Sequence, residues 1–406
     1  MQKLALITLL LFSYSTLIPL SGGENTKLEK QINRIWNSST TSFRSSRTGL
    51  FYGKALNKLP GVDCYPTREQ YLRGKYRTEP YQKGGKNTVG YNLHGGGSGT
   101  EDCSLFTGTL LAAICDKFIA TKDPICRDQA NMAYRGLYSA ATAHGEPGFI
   151  ARGVCHEDGK SIFAGTSRDQ YTNAIYGLWR YFHTPLSSKE RKKEIRKILI
   201  AVADKMIREI TPENNYSFRF AYGIPDDRGV AKMYSPTPSY ITLRLAMIYA
   251  AAWDVSREKK YYDLFLKYID NGIEGTEIWI EEIRCKIFHS QPYVILQQGY
   301  ALEIVWSTAQ SPELKHRILQ VFETVNRTVD QSPFYAKVRF RSLGEIIGGE
   351  LRMPGWKLSD RLQKHLHRDI MRLGAKGWPG ANYTLIGAYW AARAKGFLTP
   401  ELEIQK

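Results

Sequence analysis

The sequence predicts an all-α protein, an (α/α)6 toroid in which about six helical hairpins close into a ring with long loops on one rim. Two kinds of helical segment alternate along the chain: one is apolar on every side, and the other carries its charges on one face. The connections alternate too, because short turns with Pro, Ser or Asp follow the apolar segments and long loops precede most of them. A helix that is apolar all round needs burial on every side, so we expect an inner layer of apolar helices and an outer layer of amphipathic ones.

The segments assigned to each layer are defined by their hydrophobic pattern. The inner ones are residues 103–120, 168–183, 239–253, 293–308 and 381–394, with a shorter Gly-rich candidate at 341–347. The outer ones are residues 125–142, 189–210, 258–271, 313–329 and 359–373. The last inner segment has no outer partner after it, and the amphipathic segment 28–36 is expected to supply that partner and close the ring.

The long loops precede inner helices, at residues 145–166, 211–238 and 275–292. Since each leads into the N-terminus of an inner helix, all are expected on the same rim. Long loops in a compact domain usually carry function. Residues 48–98, rich in Gly, Tyr and Lys, are predicted to add a long segment to that rim. The site should therefore lie where the inner helices begin.

A closed ring makes one domain, which we expect to span residues 24–406. Residues 1–23 place a single Lys before an apolar run and end in small residues, which is the pattern of a secretory signal peptide. This predicts export to the periplasm or the extracellular space, with no stable membrane insertion once the signal is removed. A retained anchor is the alternative, although the apolar run at residues 4–20 is interrupted by Ser and Thr and is short for a membrane span.

The chain is basic, with 56 Lys and Arg against 39 Asp and Glu and a formal net charge of +17. Such a charge favours an anionic partner, such as an acidic polysaccharide or nucleic acid. Alternatively, the basic residues belong to a solvated surface with no specific partner, since the densest basic run, residues 189–197, is interrupted by Glu and lies on a predicted outer helix. No zinc-finger, basic-zipper or RNA-recognition pattern is present, so a nucleic-acid partner is not expected.

The sequence has six cysteines and no C-x-x-C pair. Disulfides are permitted in an exported chain, and Cys115 with Cys126, which flank a predicted helix turn, is our preferred pair among 15 possible pairings. His365 and His367 are two residues apart, so on a helix they do not share a face. We therefore expect no metal site and no cofactor.

Inner and outer helices in alternation, long loops on one rim and ionisable residues at inner-helix starts resemble the six-hairpin α/α toroid of secreted glycoside hydrolases and polysaccharide lyases. The resemblance covers nearly all of the chain after residue 23, and it lies in architecture. It implies a carbohydrate-active enzyme that binds an oligo- or polysaccharide at the rim. The same toroid carries unrelated activities, so the site residues must decide the chemistry.

Glycoside hydrolysis needs two carboxyl groups, one to protonate the leaving oxygen and one to act as base or nucleophile. Asp169 is the first choice, because opposing influences on its pKa leave its protonation state tunable at the start of an inner helix, where Ser167 and Gln170 form a predicted capping box. Burial would raise the pKa of Asp169, while Arg168 and the helix start would lower it. The candidates for its partner are Glu101, Asp102 and Asp227.

A lyase instead needs a base for the C5 proton and a cation that neutralises the uronate carboxylate. Arg152 or Arg168 would be the neutralising group, and the net positive charge fits this reaction better than hydrolysis of a neutral glycan. The candidate bases, which could otherwise bind substrate, are His156, His289, Tyr171 and Tyr234.

Aromatic side chains on the rim could stack on sugar rings. Trp356 and Trp378 lie in Pro-Gly contexts that favour exposure, and Tyr383 is close to the last inner-helix start. The leading hypothesis is a glycoside hydrolase acting on an acidic, uronate-containing glycan. The alternatives are a lyase on the same substrate class and a non-catalytic glycan-binding protein of the cell envelope.

Overall fold

The computed structural model describes residues 27–53, 65–72, 100–285, 292–332, 340–372 and 379–398. These residues form helices and connecting loops, with three isolated antiparallel bridges and no strand among them. The helices form two concentric layers, and the prediction of an all-α toroid is confirmed.

Six inner helices surround the centre. Each packs against the next, and the last packs against the first, so that the ring closes. They are almost wholly buried along their length, as their apolar sequences predict. The inner helices are α3 (Cys103–Thr121), α5 (Arg168–Phe182), α7 (Leu243–Ser256), α9 (Pro292–Thr308), α11 (Phe340–Glu350) and α13 (Pro379–Ala394).

Six outer helices each pack against an inner one and show one face to water. The N-terminal helix packs against α13, so the prediction that it supplies the last outer partner is correct. The outer helices are α1 (Lys27–Thr41), α4 (Ile125–Thr142), α6 (Lys189–Glu209), α8 (Lys259–Cys285), α10 (Pro312–Gln331) and α12 (Asp360–Arg372). A short α-helix, α2 (Arg68–Leu72), lies in the predicted rim segment, and three 3-10 turns lie in the loop before α7, at Pro212–Asn214, Ala221–Gly223 and Gly229–Ala231.

The connectivity gives the ring two different ends. Inner helices begin at one rim, which we call the mouth, and the long loops 143–167 and 210–242 lie there. Inner helices end and outer helices begin at the opposite rim, which we call the floor. The candidate residues at inner-helix starts therefore share the mouth.

The predicted loop at residues 275–292 is wrong over most of its length. Helix α8 continues to Cys285, because Trp279, Ile280 and Ile283 repeat at helical spacing and are buried against the neighbouring helices. The long connection before α9 is correspondingly shorter than the sequence pattern suggested.

Two glycines set the distance between α3 and α5. A Cβ on Gly108 would lie 2.1 Å from the carbonyl oxygen of Asn173, and a Cβ on Gly177 would lie 2.5 Å from the carbonyl oxygen of Gly108. Only glycine permits this approach of two backbones. It brings the starts of α3 and α5 side by side at the mouth.

The predicted pair of cysteines is not bonded. Cys115 and Cys126 are both free and buried in the main core, where thiols pack as small hydrophobic side chains. Helix α3, which contains Cys115, is the one helix in the described ranges that is long and apolar enough to cross a membrane, and it lies in the inner ring. The predicted signal peptide lies outside the described residues and stays a prediction.

Candidate active site

Five ionisable side chains come together at the mouth, and we call them the mouth cluster: Asp102, Arg152, Arg168, Asp169 and Arg244. Two of them lie at the start of α5, one directly precedes α3, one starts α7, and Arg152 comes from the loop before α5. Asp102 and Asp169 are close enough for the charge of one to raise the pKa of the other. The cluster therefore joins four separate segments of the chain.

Asp169 is held by an arginine that the sequence analysis overlooked. Arg244 donates a hydrogen bond of 2.7 Å to the Asp169 carboxylate, and its side chain is only 1% exposed. Burial opposes ionisation of Asp169, but the charges of Arg244 and Arg168 outweigh that effect and lower its pKa. Asp169 is thus ionised at neutral pH and retains 19% exposure of its side chain.

A buried hydrogen-bonded chain fixes Arg244 in turn. Its guanidinium donates to the side-chain oxygen of Gln297, whose amide donates to Asn173 at 3.0 Å. Asn173 donates to Thr109 at 2.9 Å. Four inner helices therefore contribute to the position of one carboxylate, and the orientation of Arg244 is set before any ligand binds.

Asp102 lies in a different environment. Its carboxylate accepts hydrogen bonds from Arg152 at 3.2 Å and from Gln170 at 2.8 Å. Burial of the carboxyl group raises its pKa and outweighs the opposing charge of Arg152, and the charges of Glu101 and Asp169 raise the pKa further. Because 39% of the Asp102 side chain is still exposed, this carboxyl group can meet a ligand.

Gln170 therefore has a role that the sequence did not predict. Ser167 precedes α5 but makes no side-chain capping bond within the described residues, so the predicted capping box is wrong. The amide of Gln170 instead bridges to α3, accepting from the backbone N–H of Leu105 at 2.9 Å while it donates to Asp102. It ties the two carboxylate-bearing helix starts together.

The mouth cluster has more guanidinium groups than carboxylates. Arg168 donates to the Gly229 carbonyl and to the Tyr240 hydroxyl at 3.1 Å, so it has no carboxylate partner among the described residues. The Nε groups of Arg152, Arg168 and Arg244 are buried and make no hydrogen bond. Three guanidinium groups thus face two carboxyl groups, and the excess positive charge suits the cluster to an anionic group of a ligand.

Two further groups border the cluster. Arg228 forms an ion pair of 2.5 Å with the buried Asp226 and donates to the Thr166 carbonyl at 3.0 Å, which fastens the loop before α7 to the loop before α5. Tyr293, at the start of α9, has its pKa raised to about 12 by burial and by the charge of Asp169. It remains a protonated hydrogen-bond donor at neutral pH.

Three predicted tyrosines contribute to packing instead of lining the mouth. Tyr171 is fully buried and donates to the Gly148 carbonyl at 3.1 Å, so its assignment to substrate is wrong. Tyr383 is also fully buried, among aromatic rings of the core, which excludes it from stacking on a sugar. Tyr234 donates to Asn271 at 3.0 Å and packs on the rings of neighbouring tyrosines.

Other predicted residues lie apart from the cluster. His156 accepts or donates a 2.8 Å hydrogen bond with Ser45 and stacks on Tyr65, so it belongs to the contact between the rim segments. Asp227 is exposed on the mouth loops, next to the buried Asp226. Trp356 follows α11 and lies in an inner-to-outer connection, which puts it at the floor and corrects its assignment to substrate.

Glu101 has a backbone role, since its carbonyl accepts a 3.0 Å hydrogen bond from Arg152. His289 and Trp378 lie outside the described residues. Within the described ranges no group of three His, Cys, Asp or Glu side chains is arranged to hold a metal ion.

The signal that could have revealed Arg244 is its isolation. It is the only charged residue in the first ten positions of an otherwise apolar inner helix, Leu243–Ser256. A lone arginine that is buried needs an anionic partner. Asp169 was the available carboxylate at a neighbouring inner-helix start.

No family model matches this chain, and no curated protein matches it. Among solved structures, it is similar to a sugar epimerase from a ruminal bacterium, with 10% identity, a TM-score of 0.49 and coverage of 91% of this chain and 100% of that one. A cellobiose 2-epimerase from Bacillus thermoamylovorans B4167 has 11% identity, a TM-score of 0.47 and coverage of 89% and 99%. The GH76A α-1,6-mannanase from Salegentibacter sp. HEL1_6 has 12% identity, a TM-score of 0.36 and coverage of 91% and 99%. At these values the comparisons assign no function, and the toroid rests on the helix contacts of this chain itself.

Proposed function

We propose that this chain is a carbohydrate-active enzyme that hydrolyses a glycosidic bond in an acidic, uronate-containing glycan. Asp102 is the proton donor and Asp169 is the second carboxylate. The observation that carries the proposal is that the pKa values of these two carboxyl groups are displaced in opposite directions within one mouth. Such a pair supplies one protonated and one ionised carboxyl group at the same pH, which is what glycoside hydrolysis requires.

In this reaction Asp102 gives its proton to the glycosidic oxygen as the bond from that oxygen to the anomeric carbon breaks. Asp169 stabilises the positive charge that develops on the sugar and either activates the incoming water or attacks the anomeric carbon. Water supplies the hydroxyl group of the new reducing end and the proton that restores Asp102. Arg244 and its buried partners keep Asp169 ionised and in place.

The acidic character of the substrate is supported by the guanidinium groups of the mouth. Three guanidinium groups face two carboxyl groups there, and Arg168 has no carboxylate partner among the described residues. A uronate carboxylate accepts two parallel hydrogen bonds from a guanidinium group. We therefore expect neutral glycans to bind more weakly than their uronate counterparts.

The test measures turnover on matched uronate and neutral oligosaccharides by the appearance of new reducing ends. Asp169→Asn should lower kcat/KM by about 10²- to 10⁴-fold with the fold intact. Asp102→Asn should lose most activity on glycans but retain it on aryl glycosides with an acidic phenol, because that leaving group needs no proton. Asp227→Asn, on the same rim but exposed, is the matched control. Wild-type turnover by both cluster variants would refute the assignment.

A second candidate reaction, β-elimination from a uronate, is favoured by one contact. The Tyr240 hydroxyl accepts a hydrogen bond from Arg168, whose guanidinium lies 5.7 Å over the same ring. This contact places a hydroxyl group of the kind that acts as the base for the C5 proton beside a guanidinium group that can bind the uronate carboxylate. An unsaturated product absorbs in the ultraviolet and a hydrolysis product does not. Absorbance growth that is lost in Tyr240→Phe would favour the lyase over the hydrolase.

We also propose that the protein acts after export, on the basis of the signal-peptide pattern in residues 1–23. Sequencing the N-terminus of the protein recovered outside the cytoplasm tests this. A mature chain that starts near residue 24 is expected, and a chain that keeps its first residues would indicate an anchor.

A further inference from the structure

The floor of the toroid repeats one arrangement on four consecutive inner helices. Near the end of each helix lies a partly buried aromatic ring, and the charged group of a Lys or Arg lies over that ring. We call these four pairs the floor belt. They are Phe118 with Lys122 at 5.5 Å, Phe182 with Lys192 at 5.4 Å, Trp253 with Arg257 at 5.5 Å and Trp306 with Lys315 at 5.4 Å.

The charges of the belt are mostly not neutralised. Arg257 forms an ion pair of 3.0 Å with Asp254, but Lys122, Lys192 and Lys315 have no carboxylate partner in the described part of the chain. Their cations remain available to an external anion.

Helix stability favours Lys122 and Arg257, which follow the C-terminal ends of α3 and α7, but it does not account for Lys192 and Lys315. Lys192 and Lys315 lie in the first turns of α6 and α10, and Lys27 starts α1. The macrodipole disfavours positive charge at a helix N-terminus. Their position at the floor therefore carries a cost to the helices, and an external anionic partner would offset it.

The chain enters the ring at this same end. Glu29, in the first turn of α1, accepts a 3.2 Å hydrogen bond from Arg393 at the end of α13, so α1 begins at the floor. In sequence, α1 directly follows the segment that contains the apolar run at residues 4–20. The first described residue, Lys27, therefore lies at the floor.

We propose that the floor is a docking surface for an anionic lipid bilayer, which holds the protein with its mouth directed away from the membrane. Aromatic side chains concentrate at the depth of lipid headgroups, and juxtamembrane cations bind anionic headgroups. The belt extends over the ends of four neighbouring inner helices, which suits a broad surface, whereas a polymer chain would call for a groove. The proposal is independent of the catalytic assignment, because no belt residue belongs to the mouth cluster.

The test uses the full chain and co-sedimentation with phosphatidylcholine vesicles, with and without phosphatidylglycerol. Binding is expected to require phosphatidylglycerol and to fall at high salt, where exposed charges are screened. The double variant Lys192→Glu and Lys315→Glu should weaken binding by more than about tenfold. The matched control is Lys160→Glu with Arg208→Glu, which changes the net charge equally but at exposed positions on the mouth side. Circular dichroism checks that both variants fold.

A second measurement reports the orientation. Brominated lipids quench tryptophan that reaches the bilayer, so we expect quenching in anionic vesicles and a smaller effect in Trp306→Phe. Equal binding to neutral and anionic vesicles, or equal loss in the control variant, would overturn the proposal. Retention on immobilised polygalacturonate provides a further check. A belt variant that still binds vesicles but is no longer retained on polygalacturonate would also overturn the proposal, because the floor would then bind an acidic polymer.

Discussion

Both ends of the ring contain buried ionised groups, but the ratio of carboxyl to guanidinium groups differs between the two ends. At the floor, Asp116 contacts Arg180 at 2.5 Å and Arg352 at 2.9 Å, and Glu303 lies 3.7 Å from Arg180. Tyr176 donates to Glu303 at 2.5 Å and accepts from Arg352 at 2.9 Å. Two carboxylates thus face two guanidinium groups, and the Asp116 side chain is 2% exposed.

At the mouth, two carboxyl groups face three guanidinium groups, and the pKa of Asp102 is raised while that of Asp169 is lowered. The Asp116 pKa at the floor is lowered, because the charges of Arg352 and Arg180 outweigh the opposing effect of burial. A balanced, closed network holds helices together. An unbalanced, open one leaves charge for a ligand, which is why the mouth and not the floor interior is the candidate active site.

The largest expected effect breaks the floor network. Asp116→Asn leaves two buried guanidinium groups without their shared carboxylate, and removing one partner of a buried pair costs about 3 to 5 kcal/mol. The free energy of unfolding in urea should fall by that amount. The stabilising contribution of Asp116 is present above its unfolded pKa and is lost as pH falls through its lower folded pKa. In the variant, the free energy of unfolding should no longer show the fall at low pH that protonation of Asp116 causes. An unchanged urea midpoint would show that the floor network does not stabilise the fold.

A smaller loss of stability is expected where the two carboxylate-bearing helices meet. Gly108→Ala places a methyl group against the backbone of α5, and such overpacking costs about 1 to 3 kcal/mol. Because α3 and α5 must move apart, turnover should fall along with stability. Unfolding in urea and turnover of the folded variant provide the two measurements. Full activity at full stability would mean that the close contact does not position the mouth.

Loss of Arg244 should change the pH dependence of activity at the mouth. In Arg244→Met the largest influence that lowers the pKa of Asp169 is removed, so that pKa rises. Activity needs ionised Asp169, so the acid limb of the pH profile of kcat/KM should move to higher pH. The alkaline limb, which reports Asp102, should stay in place. A profile that only loses height would indicate that Arg244 is needed for folding alone.

The smallest effect on stability is expected from Asp102→Asn. The Asp102 carboxyl group is 39% exposed and its pKa is raised by burial, so removing its charge costs less than at the closed Asp116 pair, and the free energy of unfolding should fall by no more than about 1 kcal/mol. Asp116→Asn is the same chemical change, so the difference between the two costs reports how closed each network is. A cost comparable to that of Asp116→Asn would place Asp102 among the structural residues.

The sequence predicted the inner and outer helix layers well, but it predicted few of the side-chain contacts. The hydrophobic pattern predicted every inner helix, including the short α11, because burial on all sides demands apolar residues all round. The hydrophobic pattern underestimated the length of α8. The capping rule was wrong at Ser167, because the Gln170 side chain bonds to α3 instead. Tyr171 and Tyr383 were assigned to the mouth by position alone, and only packing shows that their rings point into the core.

A ring of helices with acids at inner-helix starts can be inferred from the sequence, because periodicity and helix ends are local properties. The chemistry open to those acids depends on contacts that form only in the folded ring. Asp169 meets Arg244 across 75 residues, and Asp102 meets Gln170 across 68. A pKa depends on the burial of the group and on its distances to other charges, and these are fixed only when the ring closes.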